Sequence, residues 1–442
     1  MKVNIITLGC SKNTVDSENI AGHLAAAGHK VFFDRQQNDC DLTVVNTCGF
    51  IGDAKEESVN TLLEQIQKKC RHARRHAHDG IRRHIFAAGC LVERYRSELQ
   101  QEMPEIDRWY GVHQWDALIA DALTLTTAGH APGAPLTSQR LLSTPSHYAY
   151  LKIAEGCNRA CSYCAIPLIR GRHVSRPIDA LVEEAKLLVR NGAKEIIIIS
   201  QDTTYYGLDL YGERRLGSLL ERLAVESGAE WIRLHYTYPT SFPMDAVEAI
   251  RRHANICKYI DIPLQHINSR ILASMQRGID REGTLALIDR FRQLIPEVSI
   301  RTTLITGYPG ETEEAFEELK AFVQEAQFDR MGCFAYSPEE GTPAEQLGDP
   351  IPPEEKERRV AELMALQDAI SLRKNASRVG RTFRVLVDRR EGDFYIARTE
   401  FDSPDVDDEV LIAADRTLRV GDFYTVRITQ SQEHDLLGNL IS

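Results

Sequence analysis

Short apolar runs and stretches with apolar residues three and four apart take turns along most of this chain. Residues 3–8 form an apolar run that predicts a strand, ending in Gly9-Cys10. Residues 16–27 place Ile20 and Leu24 on one helical face and stop at Gly28. The next strand, 42–45, ends in Asn46-Thr47-Cys48, and a helix from about 55 to 67 carries Val59, Leu62, Leu63 and Ile66 on one stripe. A third strand, 85–88, ends in Gly89-Cys90. From about 145 to 345 the strand-then-helix pattern recurs six times, with strands near 148–153, 195–200, 231–236, 259–263, 299–305 and 331–335. Helical patterns such as 180–190 and 315–326 lie between them.

The pattern then changes. Residues 352–377 read as a charged amphipathic connector, with Val360, Leu363, Met364 and Leu366 on its apolar face. Beyond it come β-rich runs at 382–387, 394–398, 409–412 and 423–428, divided by turns such as Glu391-Gly392-Asp393. A small five-stranded barrel of the oligonucleotide-binding type fits that length and spacing. The expected class is α/β in three parts. Residues 1–120 form a doubly wound parallel sheet, 140–375 a partial (β/α)6 barrel with its connecting helix, and 376–442 a small β-barrel.

A chain of 442 residues is too long for one ordinary core, which agrees with that division. The N-terminus runs straight into a strand and no apolar stretch approaches the ~20 residues that span a bilayer, so a cytoplasmic protein with no membrane association is expected. Ten cysteines in a chain of this length point to metal ligands or catalytic groups in a reducing compartment rather than to disulfides. The net charge of −11 argues against a generic nucleic-acid binder.

Six of the cysteines fall into two trios. Cys157, Cys161 and Cys164 lie in Cys157-Asn158-Arg159-Ala160-Cys161-Ser162-Tyr163-Cys164, just after an apolar strand. This C-x3-C-x2-C spacing wraps one face of a [4Fe–4S] cubane and leaves the fourth iron without a local thiolate. The alternatives are a zinc site or buried structural thiols, but zinc usually takes four ligands in paired knuckles and no second pair follows. Cys10, Cys48 and Cys90 each sit just beyond the carboxyl end of a strand in a βαβ series. In an open parallel sheet those ends lie side by side where ligands bind, which predicts a second cluster site against the alternative of idle turn cysteines. Cys40, Cys70, Cys257 and Cys333 read as small buried hydrophobes.

At the strand ends of the central barrel, Gln201, Asp202, Gln265, Arg301 and Thr303 are the candidates for binding a cofactor, the alternative being helix caps. Thr203 stands beside them, and His266 reads as a hydrogen-bonding scaffold group. Arg170 and Arg172, beyond the cysteine loop, are placed either to meet an anionic substrate or to pair with surface acids. No catalytic residue beyond the six cysteines is assigned. Residues 68–84 form a basic, histidine-rich insert, read as a solvated surface with RNA contact as the outside reading. The terminal barrel carries eight arginines against thirteen acids, a net −5, with a run at Asp402, Asp405, Asp407, Asp408 and Glu409. Such a run would repel phosphates and attract a basic protein.

The C-x3-C-x2-C loop resembles the signature of the radical S-adenosylmethionine enzymes, and the whole chain is similar to the methylthiotransferases, which join a three-cysteine domain, a radical barrel and a TRAM domain. Gly9-Cys10-Ser11-Lys12-Asn13-Thr14-Val15-Asp16-Ser17-Glu18, Ser200-Gln201-Asp202-Thr203, Pro263-Leu264-Gln265-His266 and residues 336–344 resemble the RimO branch. That resemblance implies methylthiolation of the β-carbon of an aspartate in small-subunit ribosomal protein twelve, free or in the subunit. It implies two [4Fe–4S] clusters and two S-adenosylmethionine molecules. One of these would methylate a sulfur on the N-terminal cluster, and the other would yield the 5′-deoxyadenosyl radical that abstracts hydrogen. A reductant such as flavodoxin or ferredoxin is implied as well. The other branch, of MiaB type, modifies a tRNA adenosine, and a non-catalytic iron–sulfur electron carrier is the reading from outside enzymology. The basic insert departs from the RimO pattern.

Overall fold

The computed structural model describes residues 1–36, 39–75, 82–125 and 140–441. These group into two compact units, Met1–Ser143 with Ala165–Arg172, and Thr144–Cys164 with His173–Ser442.

In the first unit the order is β1 (Lys2–Thr7), α1 (Ser11–Ala26), β2 (Lys30–Phe33), β3 (Leu42–Thr47), α2 (Gly52–Arg75), β4 (His84–Gly89), α3 (Cys90–Glu102), β5 (Arg108–Tyr110) and α4 (Trp115–Thr124). The strands form one parallel sheet ordered β2-β1-β3-β4-β5. Alternate residues feed two cores. Val3, Ile5, Val44 and Phe86 meet Ile20 and Leu24 of α1 on one face. Val45, Ile85 and Ala87 meet Leu62 of α2 and Leu99 of α3 on the other. Two strands escape the apolar pattern. β2 is a half-exposed edge strand, and β5 has three residues, too few for a period of two to register. Helix α2 runs on to Arg75 and so takes in the first part of the basic insert; residues 76–81 lie outside the described residues.

The second unit begins with β6 (Tyr148–Lys152). The short segment α5 (Ile166–Arg170) belongs to the first unit, and a two-stranded ribbon of β7 (Ala154–Glu155) and β8 (Val174–Ser175) flanks it in sequence. The barrel continues through α6 (Ile178–Arg190), β9 (Glu195–Ile199), α7 (Leu216–Glu226), β10 (Trp231–Leu234), α8 (Met244–Arg252) and β11 (Tyr259–Asp261). It closes with α9 (Ser269–Ser274), α10 (Arg281–Leu294), β12 (Ser299–Thr306), α11 (Glu313–Ala326) and β13 (Arg330–Ala335). Strands β6, β9 and β10 form one parallel sheet and β11, β12 and β13 another, joined by the parallel bridge Ile232–Ile256. Six parallel strands therefore make the open barrel that the pattern predicts. Helix α12 (Pro353–Ala376) leads to β14 (Thr382–Glu391), β15 (Phe394–Thr399), β16 (Glu409–Ala413), β17 (Phe423–Ser431) and β18 (Asp435–Leu440), a closed five-stranded barrel.

The small barrel packs on the amino ends of the core strands. Trp231 and Phe423 meet edge to face at 4.8 Å. Glu195, the first residue of β9, lies between Arg233 at 2.7 Å and Arg398 of β15, all three fully desolvated. Here the acidic run departs from the sequence reading. Asp402 and Asp408 both pair with Arg330, the first residue of β13. Asp407 has no exposed side-chain surface, lies 3.3 Å from Arg301, and accepts from Tyr259 Oη at 2.7 Å and from Ser403 N at 2.8 Å. Only Asp405 of the five acids is exposed. Asp402, Asp407 and Asp408 are thus counterions for buried arginines, which leaves Asp405 exposed and Glu409 half-buried against Arg389.

Asp408 shares Arg330 with Asp402, while Arg301 is shared between Asp407 and Asp261, which leaves Asp408 poorly compensated. Burial, with Arg330 opposing and Asp402 adding to it, pushes its carboxyl up to about 6. A raised acid binds more protons folded than unfolded, so it costs stability above its folded pKa and the cost vanishes toward the unfolded value. Asp408→Asn is therefore expected to stabilise the protein at pH 7.5 by up to about 3 kcal/mol, the advantage fading toward pH 4. Urea midpoints of the two proteins at both pH values check this.

Candidate cluster sites at the strand ends

Register brings the first trio together. Thr7 pairs with Asn46 and Asn46 with Ala88, so three neighbouring strands end level and the turns carrying Cys10, Cys48 and Cys90 open side by side. The order 2-1-3-4-5 reverses direction between β1 and β3, and Cys10 and Cys48 flank that switch point, where a parallel sheet leaves a crevice.

Glycine lets the turns approach further. A Cβ on Gly9 would sit 2.7 Å from Cys48 Cβ, one on Gly49 2.7 Å from the Leu91 backbone, and one on Gly89 2.6 Å from Thr47 O. Gly89 also holds φ at +98°, where any other residue is strained. Asn13 ties the turns, donating to Leu8 O at 2.8 Å and Thr47 O at 3.1 Å, while Ser58 Oγ accepts from Cys48 N at 2.9 Å.

The thiols differ electrically. Burial pushes Cys48 up to about 11 and also raises Cys90. Burial raises Cys10 too, but Lys12, Arg170 and the amides of Lys12 and Asn13 outweigh it, and the thiol falls below its ordinary value. Those amides open α1, where a helix favours an anion. Arg170 Nη2 lies 3.3 Å from Cys90 Sγ. Three convergent thiols beside amides and a guanidinium fit an anionic thiolate-ligated cluster.

The second trio lies in the loop after β6. Cys161 is buried, with Arg277 Nη1 donating to its Sγ at 3.2 Å and Tyr238 Oη 3.5 Å away. Arg159 N donates to Cys157 Sγ at 3.4 Å, and burial pushes the Cys157 thiol up to about 11. Ser162 is held by Met275 O at 3.1 Å and by Tyr308 Oη at 2.9 Å. Among the described residues no three His, Cys, Asp or Glu side chains are grouped to hold a single metal ion. The thiolates of a cubane each take a different iron.

The rim candidates divide. Asp202 accepts from Arg159 Nε at 2.6 Å and caps Thr204, binding the strand end to the cysteine loop. Gln201 donates to Glu155 at 2.6 Å, while its Oε1 is buried without a hydrogen bond. Gln265 stands at φ +74° with its Oε1 in the same condition. Two orphan acceptors at strand ends suit a polar ligand's donors. Thr303 lies half-buried in β12, two residues beyond Arg301, and Arg301 is held at the amino half of the strand by Asp261 at 3.1 Å and by Asp407. His266 Nδ1 accepts from Asn268 N at 3.0 Å and its Nε2 faces Glu311 at 3.4 Å, a scaffold arrangement.

Residues 2–111 match the family described as Uncharacterized protein family UPF0004, 151–323 the Radical SAM superfamily and 379–441 the TRAM domain. A relative from Phocaeicola vulgatus called ribosomal protein uS12 methylthiotransferase RimO is 50% identical over 441 residues, covering 99% of each chain. One of the same name from Flavobacterium psychrophilum is 52% identical over 438 residues, covering 99% of this chain and 97% of its own. The chain belongs to the RimO methylthiotransferase family.

Its fold is that of radical S-adenosylmethionine enzymes. The structure of the methyltransferase TsrM from Kitasatospora setae superimposes with a TM-score of 0.56 at 14% identity, covering 78% of this chain and 76% of that one. As a RimO-family enzyme the protein is a radical methylthiotransferase that uses a [4Fe–4S] cluster and S-adenosylmethionine. Sequence reasoning missed Tyr238, Arg277 and Tyr308 around the cysteine loop. Tyr308 stands in a marked Gly-Tyr-Pro-Gly-Glu stretch, but Arg277 follows a short helix and nothing local ties it to a thiol. Arg277→Met is expected to weaken iron retention by the Cys157/Cys161/Cys164 trio by ~10-fold, because a buried thiolate loses its donor. Iron loss to a chelator, followed in a chain lacking Cys10, Cys48 and Cys90, measures this.

Proposed function

We propose that the protein attaches a methylthio group to the β-carbon of an aspartate in ribosomal protein uS12, using two [4Fe–4S] clusters. The observation that carries this reading is full-length likeness, about half identical throughout, to relatives named as uS12 methylthiotransferases. The convergence of Cys10, Cys48 and Cys90 supports the second cluster.

A cluster and S-adenosylmethionine bound at Cys157, Cys161 and Cys164 supply radical chemistry for a C–H bond too weakly acidic for any side-chain base. The chain's own residues hold and screen that site. Arg277 and Tyr238 fix Cys161, and the Arg159–Asp202 pair fixes the loop against β9. Gln201, Gln265, Thr303 and Asp202 would hold S-adenosylmethionine through their polar groups, the two glutamines with Oε1 acceptors that have no other hydrogen bond. Arg301 serves chiefly to bind Asp261 and Asp407, so its part in cofactor binding is the weakest of the five. The reductant is a flavodoxin or ferredoxin in the cytoplasm, and any RNA contact lies along the basic end of α2. No helix among the described residues is long and apolar enough to cross a membrane.

Three measurements test the reading. Iron and sulfide in anaerobically purified protein should fall by roughly half in the Cys10/Cys48/Cys90 triple alanine variant, since each trio holds one cluster. An unchanged iron content removes the second cluster. In a deletion strain, mass spectrometry of uS12 should lose the methylthio adduct while tRNA nucleosides stay unchanged. Loss of a methylthioadenosine with intact uS12 would move the assignment to the tRNA-modifying branch. Absence of 5′-deoxyadenosine on incubation with S-adenosylmethionine and a strong reductant would favour the electron carrier.

A further inference from the structure

We infer that Arg170 is a positioning residue for the N-terminal cluster: a fixed cation, held against Cys90, that sets the reduction potential of the group bound by Cys10, Cys48 and Cys90. The inference rests on the two-cluster reading above.

Arg170 ends the short segment α5, six residues beyond Cys164 in sequence, yet it belongs to the compact unit of the other trio. Ala165 and Ile169 of that segment pack with Cys90 and Val112, which fixes its backbone. The guanidinium is 2% exposed. Its Nη1 donates to Asp16 Oδ2 at 2.8 Å, and its Nη2 contacts both Asn13 Oδ1 and Cys90 Sγ, the latter at 3.3 Å.

A stabilising salt bridge alone does not account for this placement. Desolvating a guanidinium and a carboxylate costs about as much as the pair returns, and replacing such a pair by apolar residues is often neutral or better. Here one prong of the guanidinium goes to Asp16 and the other to a thiol and to Asn13, the residue that ties the turns together. Asp16 therefore aims the guanidinium, and the thiolates receive its charge. Reduction adds negative charge to a cluster that is already anionic, and a cation in contact favours the reduced form in a medium of low dielectric.

The test uses the full chain with Cys157, Cys161 and Cys164 replaced by alanine, so that only the N-terminal cluster remains. Iron is measured first. A chain with Arg170 intact that holds no iron would remove the cluster reading itself. With iron present, the midpoint potential is read by electron paramagnetic resonance in a redox titration. Arg170→Met should lower it by about 59 mV or more, a tenfold fall in the reduced fraction at fixed potential. Arg170→Lys should restore most of the difference. Asp16→Asn removes the opposing charge and keeps the cation, so it should raise the potential. A merely structural Arg170 would make the Met and Asn variants shift alike, or not at all, and either result overturns the inference while the cluster stands. If Arg170→Met binds no iron, the Lys and Asn variants decide on the same criteria.

Discussion

Three backbone turns approach one another more closely than a Cβ would allow, and the N-terminal site depends on that. Parallel register brings Thr7, Asn46 and Ala88 level, which is a property of the sheet. Turning level strand ends into a three-thiol cradle needs Gly9, Gly49 and Gly89, each packed where a methyl group would strike a neighbouring turn. The glycines decide that Cys10, Cys48 and Cys90 meet.

The central barrel solves a different problem. Its strands begin with ionisable or polar groups, Glu195, Tyr259, Ser299 and Arg330, that an isolated core would leave in water. The terminal barrel covers them, and each charge finds a counterion on it: Arg398 for Glu195, Asp402 and Asp408 for Arg330, Asp407 for Arg301. The cysteine loop lies at the other end, after β6, braced by Tyr238, Arg277 and Tyr308. Chemistry is thereby kept to the carboxyl ends of the strands and structural electrostatics to the amino ends.

The elements that bury the most apolar surface were legible in the sequence. The isoleucine run of β9 and the strands ending at Cys10, Cys48 and Cys90 stand out, whereas α12 buries Lys356, Arg359, Gln367, Ser371 and Asn375 beside Leu363 and Ile370, and of its expected apolar face only Leu363 is buried. Edge strands β2 and β5 do not stand out, because short half-exposed segments bury too little to impose a period. The positions of the cysteines, three at neighbouring strand ends and three in one loop, could be read from spacing and strand position. Their surroundings could not, since Arg277 and Arg170 reach their thiols through tertiary contacts that no local pattern encodes. The acidic run shows the sharper limit: composition gives the sign of a charge but says nothing of whether water or an arginine faces it.

That burial has a consequence for how such proteins can be rebuilt. A TRAM domain looks like a detachable cassette, a closed barrel on a single helical stalk. In this chain it is closer to a fitted base plate. Removing it would strip Arg330 of Asp402 and Asp408, Arg301 of Asp407 and Glu195 of Arg398 in a desolvated seam, and each uncompensated charge there costs several kcal/mol. Chimaeras intended to redirect such an enzyme toward a new substrate should carry the amino-end arginines across with the barrel. In this chain the unit of exchange is the seam and not the domain.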